Sequence, residues 1–248
     1  MEKRIIKFGS PDEFINFNKD FLSVNEAENN IVIGLAKQLS NKTIISKSFI
    51  LLSIVCGEEI IGYAFRTSSD KPLSISKMDI DSIDLIINYL HTNKYVLQGC
   101  LADKNTSKYF VSKWANIYGV NYKLRKSQGI YEITHVNNQD YNDGMLVPYT
   151  EAINNTSMRF LRLFCDEYYN DYELKHNTAS NILKNLKQIN GLYFLKNSHL
   201  NYVSMGSIIR IGFTSLTLGY IFTLKESRRK GYGEILLYHL VKHALTRD

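Results

Sequence analysis

Two hydrophobic periods divide the chain into elements. From Ser215 to Thr223, Leu216, Leu218, Tyr220 and Phe222 alternate with Thr217, Ile221 and Thr223, which predicts an uncharged strand with those two sets on opposite sides. Beyond Gly233 the period becomes helical: Leu236, Leu237, Leu240, Val241, Ala244 and Leu245 recur on one face, with Glu234, His239, Lys242 and His243 on its flanks. Between them lies Arg228-Arg229-Lys230-Gly231-Tyr232-Gly233. Glycines there let the backbone approach a ligand closely, at a helix start whose free N–H groups and positive dipole end favour anions. Arg228, Arg229 and Lys230 add charge that can meet more than one phosphate.

The same reading carried upstream predicts a helix from Pro11, capped by Ser10, with Phe14, Phe17 and Phe21 on one face, and a second from about Asn25 to Ser40. Strands Phe49–Val55 and Glu59–Arg66 form a hairpin around Cys56-Gly57-Glu58. Helix Asp81–Lys94, strand Val96–Leu101, helix Lys104–Tyr118 and a late strand over Tyr122–Val136 come next. A polar seam at Asn137–Asp143 then divides the chain into expected domains 1–137 and 143–248. The second opens with strand Met145–Tyr149 and helices Tyr149–Asn170 and Thr178–Gln188. Strands Gly191–Lys196, Tyr202–Ser207 and Ser215–Thr223 complete it, the first two turning at Asn197-Ser198-His199. Tyr168 to Tyr172 reads as a helix end packed on the sheet or an aromatic wall.

Charge narrows the function classes. The formal net charge of +6 over 248 residues is a mild excess that suits an anionic small molecule, and the basic cluster lacks interleaved aromatics, which argues against nucleic acid. Cys56, Cys100 and Cys165 are odd in number, far apart and each beside apolar neighbours, which predicts three buried free thiols, Cys165 among them as a core residue. No apolar run approaches a membrane span, so a cytoplasmic chain is expected. His239 and His243 have the spacing of a zinc pair, but the glutamate of H-E-x-x-H is missing and no metal is expected; solvated helix histidines explain them.

A strand, R-x-x-G-x-G and a helix is neither the dinucleotide fingerprint nor a P-loop. It resembles the acetyl-CoA signature of the GNAT superfamily of N-acetyltransferases, here Arg228, Gly231 and Gly233 with Arg229, Lys230 and Tyr232 between them. The resemblance implies an α/β (α+β) fold, a mixed and mostly antiparallel sheet flanked by helices, in two tandem GNAT-like halves. FLSVNEAENNIVIGLA, GYAFRT and IFTLKESRRKGYG are similar to a bacterial-type subgroup with a cryptic N-terminal domain. The first half then reads as a degenerate copy. Its Ile60–Arg66 would correspond to the strand before the cofactor turn, but the next segment, Thr67–Pro72, has no glycine and no basic triplet.

The resemblance further implies acetyl-CoA as co-substrate and a primary amine, on a small molecule or a protein, as acceptor. The turn would hold the pyrophosphate, and Ile221, Phe222 and Thr223 would pair with the pantetheine arm and polarise the thioester carbonyl for direct attack. The general base is unassigned, with Glu167 and Tyr220 as weak candidates whose plainer readings are a solvated carboxylate and a packed aromatic. The family pattern continues past the helix into a strand and helix, whereas this sequence stops at Asp248, and two prolines usual before the turn are Leu224 and Lys225 here. Two function classes therefore stand: an acetyltransferase, and an acyl-CoA-binding or regulatory protein that keeps the fold without the chemistry. A homodimer completing the cleft with a partner's edge is compatible with either.

Overall fold

The computed structural model describes residues 2–41, 48–141, 143–168 and 172–246, with the backbone alone over 172–177. It forms two compact units, Met1–Ile130 and Tyr131–Asp248.

The first unit runs β1 (Lys3–Lys7), α1 (Pro11–Val24), α2 (Glu26–Ser40), β2 (Ile50–Cys56), β3 (Glu59–Arg66), β4 (Leu73–Ile75), α3 (Ile80–Thr92), β5 (Cys100–Leu101) and α4 (Lys104–Tyr118). Its sheet has the order β1-β2-β3-β4-β5, antiparallel except for the parallel β4–β5 pair. Ser10 Oγ accepts the Glu13 N–H at 3.2 Å, so α1 starts where the serine–proline pair predicts. Phe14 of the predicted face is buried while Phe17 is exposed. Gly57 takes φ 63° in the β2–β3 hairpin turn, a conformation that favours glycine. The core joins Ile50, Leu52 and Ile54 of β2 to Ile83, Ile86, Ile87 and Leu90 of α3 and Phe110 of α4.

Two expectations for this half change. Tyr122–Val136 forms neither strand nor helix, and Leu124 and Tyr131 are 82% and 91% exposed. Alternation describes faces but supplies no partner backbone, and this segment is not paired into either sheet. The strand predicted over Val96–Leu101 shrinks to the two residues that pair with β4.

The strand before α3 is β4, not β3. The junction that corresponds by order to the glycine turn before the last helix is therefore Ser76–Asp79, and here Asp79 caps the helix, its carboxylate accepting from Ser82 N and Oγ, both at 3.0 Å. A fixed carboxylate thus occupies the helix start where an anion would sit. The Lys3 ammonium at 2.6 Å is the largest influence holding the Asp79 carboxyl down to about 2. Because that value lies below the unfolded one of about 3.9, the stabilisation is present above pH ~4 and is lost as pH falls toward 2. Acid unfolding monitored by circular dichroism is expected to show an Asp79→Asn variant losing part of this dependence.

The second unit runs β6 (Met145–Pro148), a 3-10 turn at Glu151–Ile153, α5 (Asn154–Tyr168), α6 (Tyr172–Gln188), β7 (Leu192–Lys196), β8 (Tyr202–Ile211), β9 (Leu216–Thr223), a 3-10 turn at Lys225–Ser227 and α7 (Tyr232–Leu245). The sheet is β6-β7-β8-β9, antiparallel throughout. Residues 169–171 of the tyrosine-rich stretch, and Arg247 and Asp248, lie outside the described residues. Phe160, Leu161 and Cys165 of α5 and Leu183 and Leu186 of α6 cover one face over Phe194, Met205 and Phe222. On the other face Ile235 and Leu236 of α7 meet Leu195 and Val203, and Leu240 meets Tyr193 and Ile208. The fold is thus mixed α/β, with seven α-helices and two sheets among the described residues.

Candidate functional site

The site grows from an irregularity in β9. Met205 pairs with Phe222 and Ser207 with Gly219, so Gly206 of β8 stands opposite two residues of β9, Tyr220 and Ile221. This is a β-bulge, and Tyr220 adopts φ 50° within it. The extra residue reverses the side-chain alternation. Leu216 and Leu218 pack with Ile208 and Leu240 on the α7 side, whereas Tyr220 and Phe222 join the α5–α6 cluster. The four residues expected on one side are therefore split between both, because simple alternation takes no account of the bulge. A side chain at Gly206 would be tight: a Cβ would come 3.0 Å from Ile221 Cδ1 and from Leu240 Cδ2, so those side chains would have to give way.

Beyond β9 the Lys225–Ser227 turn delivers Arg228 and Arg229, the latter at φ 60°, to Gly231 at φ 82°. Gly231 is the N-cap of α7, and its carbonyl accepts from Glu234 N and Ile235 N at 3.0 and 3.1 Å. Side chains cap α1, α3 and α4 through Ser10, Asp79 and Asp103, but none caps α7. Its first amides are thus left for an external acceptor. Gly233 brings the helix start against the end of β9: a Cβ would lie 3.4 Å from Thr223 Oγ1, which is itself 2.9 Å from Ser204 Oγ.

The three cations of the turn have different surroundings. Arg228 Nη2 donates to both carboxylate oxygens of Glu167, at 2.7 and 2.8 Å, and Arg228 Nε donates to the Thr223 carbonyl at 2.9 Å. Its guanidinium lies 5.4 Å from the Phe222 ring centre. Lys230 Nζ donates to the Glu226 carbonyl at 3.0 Å, and Arg229 is exposed. Glu167 is accordingly a solvent-exposed carboxylate that is also ion-paired, and Tyr220 packs edge-on against Phe164 at 5.5 Å. No sequence signal joins Glu167 to Arg228, which are 61 residues apart.

A polar strap steadies the other side of the turn. Tyr232 Oη donates to Asp143 Oδ2 at 3.0 Å, which raises the phenol above its usual range, while the Ser198 N–H is the chief influence lowering Asp143. Tyr141 Oη donates to Glu234 Oε1 at 2.7 Å, and its ring meets Tyr238 at 5.1 Å. The flanking histidines are not the solvated pair expected. The Nε2 of His239 is buried without a hydrogen-bond partner among the described residues, and burial lowers its pKa; His243 Nε2 lies 3.0 Å from Tyr193 Oη. Packing on β7 brings His243 to Tyr193, while the His239 ring lies against the Tyr141 and Tyr238 rings. Burial pushes the Cys165 thiol up to about 11, which suits a core residue and not a thiolate nucleophile.

Of the residues singled out in the sequence, Ile221, Arg228, Arg229, Lys230 and Gly231 are exposed, Thr223, Tyr232 and Gly233 are half-buried, and Phe222 is buried. A separate cavity of about 620 Å³ lies along α5, lined by Asn154, Asn155, Met158, Arg159, Arg162 and Leu163. Among the described residues no group of three or more His, Cys, Asp or Glu is arranged to hold a metal, and no helix is long and apolar enough to cross a membrane.

No protein-family profile matches this sequence, and no curated protein does. Solved structures do match. A Drosophila protein superposes with a TM-score of 0.54 over 98% of this chain and 86% of its own, at 12% identity, which shows a shared fold. A tandem GNAT protein from the clavulanic acid biosynthesis pathway covers the same shares at 10% identity and a TM-score of 0.46. A GNAT-family acetyltransferase from Staphylococcus aureus matches 41% of this chain at 20% identity and a TM-score of 0.33, the match spanning 66% of that protein. These GNAT-described chains match at TM-scores below 0.5, and it is the superposition on the Drosophila protein that shows the two-sheet α/β fold to be shared.

Proposed function

We propose that the chain is a GNAT-type N-acetyltransferase that moves an acetyl group from acetyl-CoA to a primary amine of a small molecule or protein. The observation that carries this reading is a bulged strand running into a glycine turn at the side-chain-uncapped start of α7. In it, residues 143–248 are the cofactor-binding domain and residues 1–137 a degenerate copy whose equivalent helix start is filled by Asp79. The amides of the turn and Arg229 and Lys230 take the pyrophosphate, and the end of β9 from Ile221 to Thr223 takes the pantetheine arm. A neutral amine then attacks the thioester carbonyl; the tetrahedral oxyanion is stabilised by backbone N–H groups at the bulge, and collapse expels the CoA thiolate while the amine proton passes to a base. The reaction calls for no metal.

Calorimetric titration of the chain with acetyl-CoA tests this, with micromolar affinity expected. An Arg229→Glu/Lys230→Glu variant is expected to bind at least tenfold more weakly and with a shallower salt dependence, since exposed cation–phosphate attraction is screened. Undetectable binding by folded protein would sink the proposal. The pairing of Glu167 with Arg228 favours a second reading, acyl-CoA binding without transfer, because it engages the one carboxylate considered as a base. Binding without product across a panel of amines would select it.

A further inference from the structure

Two ion pairs of opposite polarity join α5 to the turn that precedes α7. Arg159 reaches Glu226 at 3.7 Å, and eight residues further along the helix Glu167 holds Arg228 with both carboxylate oxygens. We propose that this clamp sets the shape of the anion-binding turn and that Glu167 is a positioning residue for it. The inference rests on the acetyl-CoA reading for its ligand, but the clamp itself is defined by the contacts of the chain.

The geometry argues for positioning rather than for charge alone. Arg228 is fixed at three points: the Glu167 carboxylate, the Thr223 carbonyl and the face of Phe222. Through the carbonyl it joins the last residue of β9 to the turn, and through Glu167 it joins both to a helix anchored in the core by Phe160, Leu161 and Cys165. The backbone just after Arg228 turns through Arg229 at φ 60° and Gly231 at φ 82°. Gly231 takes that conformation freely, but for Arg229 it costs about 1–2 kcal/mol and persists where neighbouring contacts hold it. Arg228 is the last residue before them, so a fixed Arg228 fixes the direction from which the turn departs. The Glu167 pair is only partly exposed, at 38% and 37% for the two side chains, whereas Arg159 and Glu226 are 62% and 65% exposed. Solvent screening makes the second pair the weaker arm.

Neutralisation adds a second effect. An unpaired carboxylate beside a pyrophosphate would repel it; paired to Arg228, Glu167 does not, and Arg229 and Lys230 remain to attract the ligand.

The test uses the whole chain and two readouts. Glu167→Ala is expected to raise the acetyl-CoA Kd about tenfold. In ligand-free protein it should accelerate amide hydrogen exchange across Arg228–Ile235 by a similar factor, with exchange in β7 unchanged. Glu167→Gln, whose amide oxygen can still accept from Arg228, is expected to leave both readouts between those of wild type and Glu167→Ala. Unchanged or tightened acetyl-CoA binding in Glu167→Ala would overturn the proposal, since the carboxylate would then be only a competitor for the arginine. Faster exchange that extends into β7 would also overturn it, as general loosening of the unit. If wild-type protein binds no acetyl-CoA, the cofactor reading falls, while turn-limited acceleration of exchange in Glu167→Ala and its partial recovery in Glu167→Gln still establish the clamp.

Discussion

Gly231→Asp is expected to reduce acetyl-CoA binding at least a hundredfold while leaving the protein folded. At φ 82° this position strains any L side chain, by about 1–2 kcal/mol for an ordinary residue and less for aspartate, which tolerates the left-handed region. A Cβ there meets nothing within 4 Å, so the side chain itself has room. The loss in affinity comes instead from a carboxylate placed at the amides proposed to hold the pyrophosphate. Unit charges about 4 Å apart repel by ~4 kcal/mol near a protein surface, and each 1.4 kcal/mol is a factor of ten. Gly231→Asn separates the effects, since it carries similar strain without the charge and should bind within a few-fold of wild type. Equal losses in both variants, measured by calorimetry, would assign the effect to backbone strain and remove the anion site from the turn.

Phe160→Ala is expected to cost the second unit about 3–5 kcal/mol, the range for removing a large buried aromatic and leaving a cavity. Phe160 is fully buried and meets Phe194 and Phe222 edge-on at 5.3 and 6.3 Å, so it joins α5 to both β7 and β9. Hydrogen exchange is the appropriate measurement, because a chain of two compact units need not unfold in one step. Protection in β7 and β8 should fall by two to three orders of magnitude while that in β2 and β3 holds. A uniform fall across both units would show that Phe160 supports more than its own core.

The elements that were legible in the sequence are those whose causes are local. Ser10-Pro11 starts α1 and Gly57 turns the β2–β3 hairpin, and the period change near Gly233 marks α7 to within one residue. The elements that escaped depend on partners distant in the chain. β1 exists because Lys3–Lys7 finds β2, more than forty residues later, and β4 because three residues fit between β3 and β5. The reverse failure is Tyr122–Val136, whose alternation is as good as that of a strand but which no sheet edge accepts. In the candidate site, the glycine turn was readable from residue types alone. The bulge, the Asp143–Tyr232 bond and the Glu167–Arg228 clamp were not, since each is a relation between residues that nothing in their spacing connects.

The bulge at Tyr220 and Ile221 acts as a phase shift in the strand. Past it the alternation along the strand is reversed, with the Phe222 ring beneath α5 and Thr223 meeting Gly233 at the start of α7. Because Gly206 alone separates the Met205–Phe222 and Ser207–Gly219 pairs, one position of β9 is surplus to the ladder, and a chain without Ile221 could keep both pairs with Phe222 and Thr223 facing as they do. The residue that would turn over is Tyr220, which would leave Phe164 and the α5–α6 cluster for the α7 side. The surplus position therefore decides which face receives the Tyr220 ring, while the facing of the residues that lead into the turn is set by their pairing with β8.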